Sequence, residues 1–185
     1  DYCYIEKKNA AITLPIAQKI LTFLFAILKE EERLEIGLFG GEPLLEFDLV
    51  KELIDLIQSQ EGYDPERVTI SVVTNGTLLT DALLRVFLDK GIVLCISCDG
   101  PPEMQDAHRH FPDGRGSSSL VEKNIRRSLE YFPLLPVNAV YSPETLPLLP
   151  AVVEYMISLG IRNIYLNPEI SAHWSQKDAE MLPVV

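Results

Sequence analysis

Basic residues are scarce. The chain has 185 residues, with 16 Lys and Arg against 27 Asp and Glu, a formal net charge of −11. A surface this acidic, without a basic tract, is a poor match for nucleic acid, because phosphate contacts need Lys and Arg. The basic face of a membrane-surface binder is missing for the same reason. Long apolar runs are lacking too. The longest nearly apolar stretch, Ile20 to Leu28, is fenced by Lys19 and Lys29, well short of the roughly 20 residues that span a bilayer. With 3 Cys the chain has no basis for a disulfide framework, and it is read as cytoplasmic. No secretory leader is visible, and the chain opens at Asp1 rather than at Met. Walker and GxGxxG strings, internal repeats and low-complexity linkers are all absent.

What is present is ordinary globular material, 47% hydrophobic and 23% charged, enough for one domain or a large piece of one. Helical periodicity runs from Leu14 to Lys29, with Thr13 as its cap and Pro15 in the first turn. Further helices are read over Phe47 to Gln60, Thr80 to Lys90, Ser118 to Tyr131 and Pro150 to Leu159, the last closed by Gly160. Short runs rich in Val, Ile and Leu lie between them: Leu34 to Phe39, Val68 to Val73, Ile92 to Ser97, Leu135 to Tyr141 and Ile161 to Asn167. These read as parallel strands, apolar on both faces. Asp99 to Ser118 reads as a loop. Strict alternation predicts an α/β fold with right-handed crossovers. The pattern starts on a helix, so a first strand is expected to be missing.

In such folds functional groups gather beyond the C-terminal ends of the strands. Gly40-Gly41-Glu42-Pro43 follows the first strand, Thr74-Asn75-Gly76-Thr77 the second, and Ser97-Cys98-Asp99-Gly100-Pro101-Pro102 the third. Asn138 and Tyr141 lie toward the end of the fourth. The glycine pair has two readings: a tight turn needing positive φ, or a place where backbone approaches a ligand beside the Glu42 anion. Asn75-Gly76 is a common turn, though Asn75 can also offer hydrogen bonds at the rim. Cys95, Ser97 and Asp99 share a strand face and Cys98 points the other way, so Cys95 and Cys98 are read as buried apolar residues, not a chelating pair. His108-Arg109-His110 belongs to a solvated loop or to a lid over the rim. His173 and Trp174 are read as packing or exposed. Cys3, in Asp1-Tyr2-Cys3-Tyr4, would follow the missing first strand and so share the rim.

These strings together resemble the radical S-adenosylmethionine (SAM) superfamily, in particular its peptide and sulfatase maturases, whose chains often carry a C-terminal SPASM domain. Tyr2-Cys3-Tyr4 is similar to the tail of the Cys-x3-Cys-x2-Cys hallmark, the second Cys falling just before Asp1. Gly40 to Pro43 matches the family's GGEP string, and Thr74 to Leu79 its TNG-type loop. Ser97 to Arg109 resembles an SLDGPPE string followed by a His-Asp-x-x-Arg element, with Cys98 in place of Leu and Gln105 in place of His. The resemblance extends from Asp1 to about Asn167.

The resemblance implies a partial (β/α)6 TIM-like barrel, here without its first strand and first two cluster cysteines and without a SPASM domain. A full eight-strand barrel would need about 250 residues. It implies a [4Fe–4S] cluster with Cys3 as a ligand. It also implies SAM held by Tyr2, Gly40, Gly41, Glu42, Asn75, Ser97, Asn138 and main chain near Leu166. Asp99 and Arg109 would face substrate. Reductive cleavage of SAM would then give a 5′-deoxyadenosyl radical that abstracts hydrogen from a peptide or protein side chain, the electron coming from a flavodoxin or ferredoxin. The acidic balance hints at a basic leader peptide. With Cys3 as its one cluster ligand, this stretch alone is expected to be inactive. The rival reading is a noncatalytic barrel fragment that binds a nucleotide or peptide; a phosphate-binding α/β enzyme is a third. The exposed edge left by the missing strand is expected to pair with another copy.

Overall fold

A computed structural model describes residues 10–181. Helix α1 (Leu14–Ile27) starts without a side-chain cap: the Thr13 carbonyl, not its hydroxyl, takes the first amides, and Pro15 tolerates the open turn. Strand β1 (Leu34–Leu38) follows, then a 3-10 turn (Pro43–Glu46), α2 (Phe47–Gln58) and β2 (Val68–Thr74). Helix α3 (Asp81–Asp89) does have a side-chain cap, with Thr80 Oγ1 accepting from the Leu83 amide at 3.3 Å. Strand β3 (Val93–Ser97), α4 (Pro102–His108), α5 (Ser118–Tyr131) and β4 (Pro136–Tyr141) come next. A second 3-10 turn leads into α6 (Leu149–Ser158), which ends at Gly160 with φ +94°. The last elements are β5 (Asn163–Pro168) and α7 (Gln176–Met181).

The five strands are parallel and lie in chain order, β1-β2-β3-β4-β5. Right-handed crossovers between strands in this order put every connecting helix on one side. On that convex side Ile36, Ile70, Leu94, Ile96, Val137 and Ala139 pack against α2, α3, α5 and α6 through residues such as Ile54, Phe87, Ile125 and Met156. The pairing register sets the other face. Glu35 pairs with Thr69, Val73 with Cys95, Ser97 with Asn138, and Asn138 with Tyr165. The concave side therefore carries Glu35, Thr69, Ser71, Ser97, Asn138 and Asn163.

The strands read as largely apolar on both faces keep apolar residues on this side in β2 and β3, where Val73, Val93 and Cys95 lie, and are more polar toward the edges. Burial alternates in β4, where Val137, Ala139 and Tyr141 are buried and Pro136, Asn138 and Val140 are not. The arrangement is a half-barrel with β1 and β5 as its edges among the described residues. No helix among the described residues is long and apolar enough to cross a membrane. Helix α1 carries a second apolar stripe, with Ile16, Ile20, Phe23 and Ile27 exposed.

The segment read as a loop contains α4. Pro102 at its first turn starts the helix, and Met104 is buried beneath it. The remainder, from Arg109 to Gly116, is a small hairpin closed by a bridge between His110 and Gly116, with Arg115 over the Phe111 ring. Trp174 packs edge-on against Tyr141, their ring centroids 5.7 Å apart, so its role is packing. His173 is exposed.

Candidate functional site

The rim is built from the loops that follow β1, β2 and β3 and from the ends of β4 and β5. Glycine is required at two of its turns. Gly76 sits at φ +76°, and a Cβ there would lie 2.9 Å from Ile96 Cγ2. Gly100 sits at φ +136°, with Val152 Cγ2 3.0 Å from the same position. Gly40 and Gly41 differ. Neither has a positive φ, and a Cβ on either would meet nothing within 4 Å. The tight-turn reading of this pair therefore fails: nothing in the described chain requires glycine there. Both line a cavity of about 410 Å³ between α1, β1 and α2, together with Glu42, Ile20, Ile36 and Leu53.

Glu42 ties this loop to its neighbour. Its Oε1 accepts from the Leu44 amide at 3.0 Å and from Thr74 Oγ1 at 2.7 Å, and its Oε2 accepts from the Asn75 amide at 2.7 Å. The carboxylate thus lies at the junction of the β1 and β2 loops. Asn75 Oδ1 accepts from the amide and the hydroxyl of Thr77, at 2.9 and 2.7 Å, and shapes the turn. Asn124 on α5, nearly fully buried, donates through Nδ2 to the Gly76 carbonyl at 2.7 Å. Sequence reasoning placed Thr74 in a rim string without a role and missed Asn124. The available signal for Asn124 was a polar residue within the buried stripe Val121, Asn124, Ile125 and Ser128.

Ser97 and Asn138 are register partners on the concave face, and Tyr165 continues their row. Leu166 pairs with Ala139, so its side chain lies on the convex side. The geometry turns Asp99 and Arg109, expected at substrate, toward each other. Arg109 Nε reaches Asp99 Oδ2 at 2.7 Å and its second nitrogen reaches Oδ1 at 3.1 Å, with Asp99 only 2% exposed. Tyr2 and Cys3 lie outside the described residues.

Cys95 and Cys98 stand on opposite faces, and burial pushes each thiol up to about 11. They do not fit a cluster, which needs thiolates. Among the described residues no His, Cys, Asp and Glu grouping could hold a metal ion. The shift carries a stability consequence. The unfolded chain releases these protons near the ordinary value of 9.0, whereas the fold retains them to about 11. Stability contributed below pH 9 is therefore expected to decline between about pH 9 and 11. Urea midpoints across that range should fall less steeply for a Cys95→Ala, Cys98→Ala variant; an equal slope would contradict the assignment.

Fold and rim together define an α/β half-barrel with its ligand face at the carboxyl ends of parallel strands. The Radical SAM superfamily model matches residues 1–145, and the chain belongs to that family of enzymes. It is 33% identical over 177 residues to a serine-type anaerobic sulfatase-maturating enzyme of Klebsiella aerogenes, covering 92% of this chain and 43% of the relative. It is 27% identical over 176 residues to an uncharacterized protein of Methanocaldococcus jannaschii, covering 93% of this chain and 59% of the relative. The chain thus spans about half the length of these curated relatives. Among solved structures, native anSMEcpe with bound AdoMet and Kp18Cys peptide superposes with a TM-score of 0.82 at 17% identity, over 97% of this chain and 52% of that one. Streptococcus suis SuiB bound to precursor peptide SuiA gives 0.64 at 17% identity, over 97% and 41%. At these identities the superpositions speak to the fold.

Proposed function

We propose that this chain is core machinery of a radical SAM enzyme that modifies a peptide or protein side chain. The observation that supports this most is the glycine pair. Gly40 and Gly41 have no internal reason to be glycine, yet they stand beside a carboxylate at the rim. Backbone stripped of side chains exposes N–H and C=O groups to whatever approaches. A SAM amino group matches that surface, with Glu42 as the neighbouring anion. Ser97 and Asn138, side by side on the concave face, would take the SAM carboxylate and ribose side of the ligand. Cys3, preceded by Tyr2, would be a cluster ligand, and Asn75 and main chain near Leu166 would complete the cradle.

A [4Fe–4S] cluster with bound SAM supplies, on one-electron reduction, a 5′-deoxyadenosyl radical that can take hydrogen from an unactivated carbon. The polypeptide contributes orientation: the polar concave face holds the ligand while the helix-covered face keeps the strands rigid. A flavodoxin or ferredoxin would deliver the electron, in the cytoplasm. A peptide substrate is favoured by the relatives, which include sulfatase-maturating enzymes and structures with bound peptides.

The test separates binding from folding. Gly40→Ala and Gly41→Val place side chains in open space, so stability should change by less than about 0.5 kcal/mol. SAM affinity of the anaerobically reconstituted protein, measured by calorimetry, should fall by about tenfold or more. In the protein extended to its native N-terminus, formation of 5′-deoxyadenosine should require Cys3. SAM binding that tolerates Gly41→Val, or product that survives Cys3→Ala, would overturn the proposal.

A further inference from the structure

The seam between β3 and β4 is the shortest in the sheet. It has register pairs Ile96↔Val137 and Ser97↔Asn138 only, whereas β4 and β5 share pairs from Pro136↔Asn163 to Tyr141↔Pro168. That short seam carries the two concave-face residues assigned to SAM. One further backbone bond follows, from the Cys98 amide to the Asn138 carbonyl at 2.9 Å, and then the chain turns away at Gly100. The next rung is made by a side chain: Asp99 Oδ1 accepts from the Val140 amide at 3.0 Å. A carboxylate thus stands in for a strand carbonyl.

That carboxylate is held by a closed ring. Arg109 grips both of its oxygens. The Asp99 amide donates to Gln105 Oε1 at 2.9 Å, and Gln105 Nε2 donates to Ser117 Oγ at 3.1 Å. Ser117 Oγ donates in turn to the Arg109 carbonyl. Asp99, Gln105 and Ser117 are 2%, 1% and 4% exposed. The proton directions are fixed around this circuit. The single hydroxyl proton of Ser117 goes to Arg109, so residue 105 must donate to the Ser117 oxygen. The Asp99 amide is a donor, so residue 105 must also accept. A primary amide does both without carrying charge. Buried networks of this kind specify one arrangement when every member is satisfied.

We propose that Gln105 is a positioning residue: through Asp99 it holds the end of β3 against β4 and so sets Ser97 and Asn138 at the spacing that receives SAM. The role rests on the SAM reading of those two residues, while the clamp itself does not. Gln105 acts through its ring partners rather than by touching a ligand.

An isosteric substitution tests this. In Gln105→Glu a protonated carboxyl still accepts at one oxygen and donates from the other. Once ionised it has no proton for Ser117 and adds a negative charge beside Asp99. Charged groups near the position among the described residues include Asp99 and Arg109 in the ring, and Asp106 on α4, whose carboxylate is occupied by the Ser118 amide and hydroxyl at 2.8 and 2.7 Å; Glu103 and His108 lie on the same helix, and Glu122 on the packed α5.

Two readouts are taken from pH 5.5 to 8.5 on the full reconstituted protein: SAM affinity, and the amide exchange protection of Val140 and Asp99. The ratio of wild-type to variant affinity is expected to widen about tenfold as pH rises, with Val140 and Asp99 protection falling in parallel. A variant that tracks wild type in both readouts overturns the clamp. Ser117→Ala, a milder change, should lower Val140 protection at every pH; unchanged protection there also overturns it. If wild type fails to bind SAM, the functional reading falls, while the exchange data still decide the clamp.

Discussion

Removing the Arg109 guanidinium is expected to cost the fold about 3–5 kcal/mol. Asp99 is 2% exposed, and in Arg109→Ala its carboxylate would keep the Val140 amide but lose both guanidinium contacts. A buried carboxylate that loses its guanidinium has little water to replace it. Arg109→Lys should fall between, because an ammonium keeps the charge without bridging two oxygens in a plane. Urea unfolding followed by circular dichroism measures both. A loss below about 1 kcal/mol for the alanine variant, the range of exposed pairs, would mean that the pair is solvated and the clamp argument misplaced.

Glu42 is expected to carry the largest effect on ligand affinity. Its two oxygens accept three donors from two loops: the Leu44 amide, the Thr74 hydroxyl and the Asn75 amide. Glu42→Ala releases all three and detaches the β1 loop from the β2 loop, so SAM affinity should fall by two orders of magnitude or more, about 3 kcal/mol. Glu42→Gln is the sharper experiment. Whichever way the amide turns, its nitrogen meets a backbone or hydroxyl donor, so one of the three goes unsatisfied despite the unchanged shape. The glutamine variant should therefore bind SAM nearly as poorly as the alanine variant. Near wild-type affinity in Glu42→Gln would show that the carboxylate serves neither loop nor ligand.

Most of the architecture was legible because its signals are local. Each strand is a short aliphatic run between helical periodicities, Gly160 marks a helix end by capping chemistry, and parallel order follows from alternation. What escaped notice depends on the far side of the sheet. Whether Ser71, Ser97 and Asn138 interrupt an apolar strand or form a polar wall is decided by register across neighbouring strands, which no single strand reveals. Helix α4 was hidden because a polar residue, Gln105, is its buried anchor beside Met104, in contact with positions up to 12 residues away. The site was legible as strings at strand ends. The roles within it were less so: the glycines of the TNG and DGP strings are turn requirements, whereas those of the GGEP string are not, and only the space around each makes the difference. Asp99 and Arg109 are recognisable as functional types, but their mutual pairing is a matter of three dimensions.

The stripe of Ile16, Ile20, Phe23 and Ile27 on α1, exposed among the described residues, bears on thermodynamics as well as on binding. Surface that is already wet in the native state contributes nothing new to hydration when the chain unfolds. The heat-capacity increment of unfolding is set by newly exposed apolar area. A fold that leaves this stripe exposed therefore has a smaller increment per residue than one that buries it. Its stability curve is correspondingly broader and shallower, with less curvature toward both the cold and the hot limb.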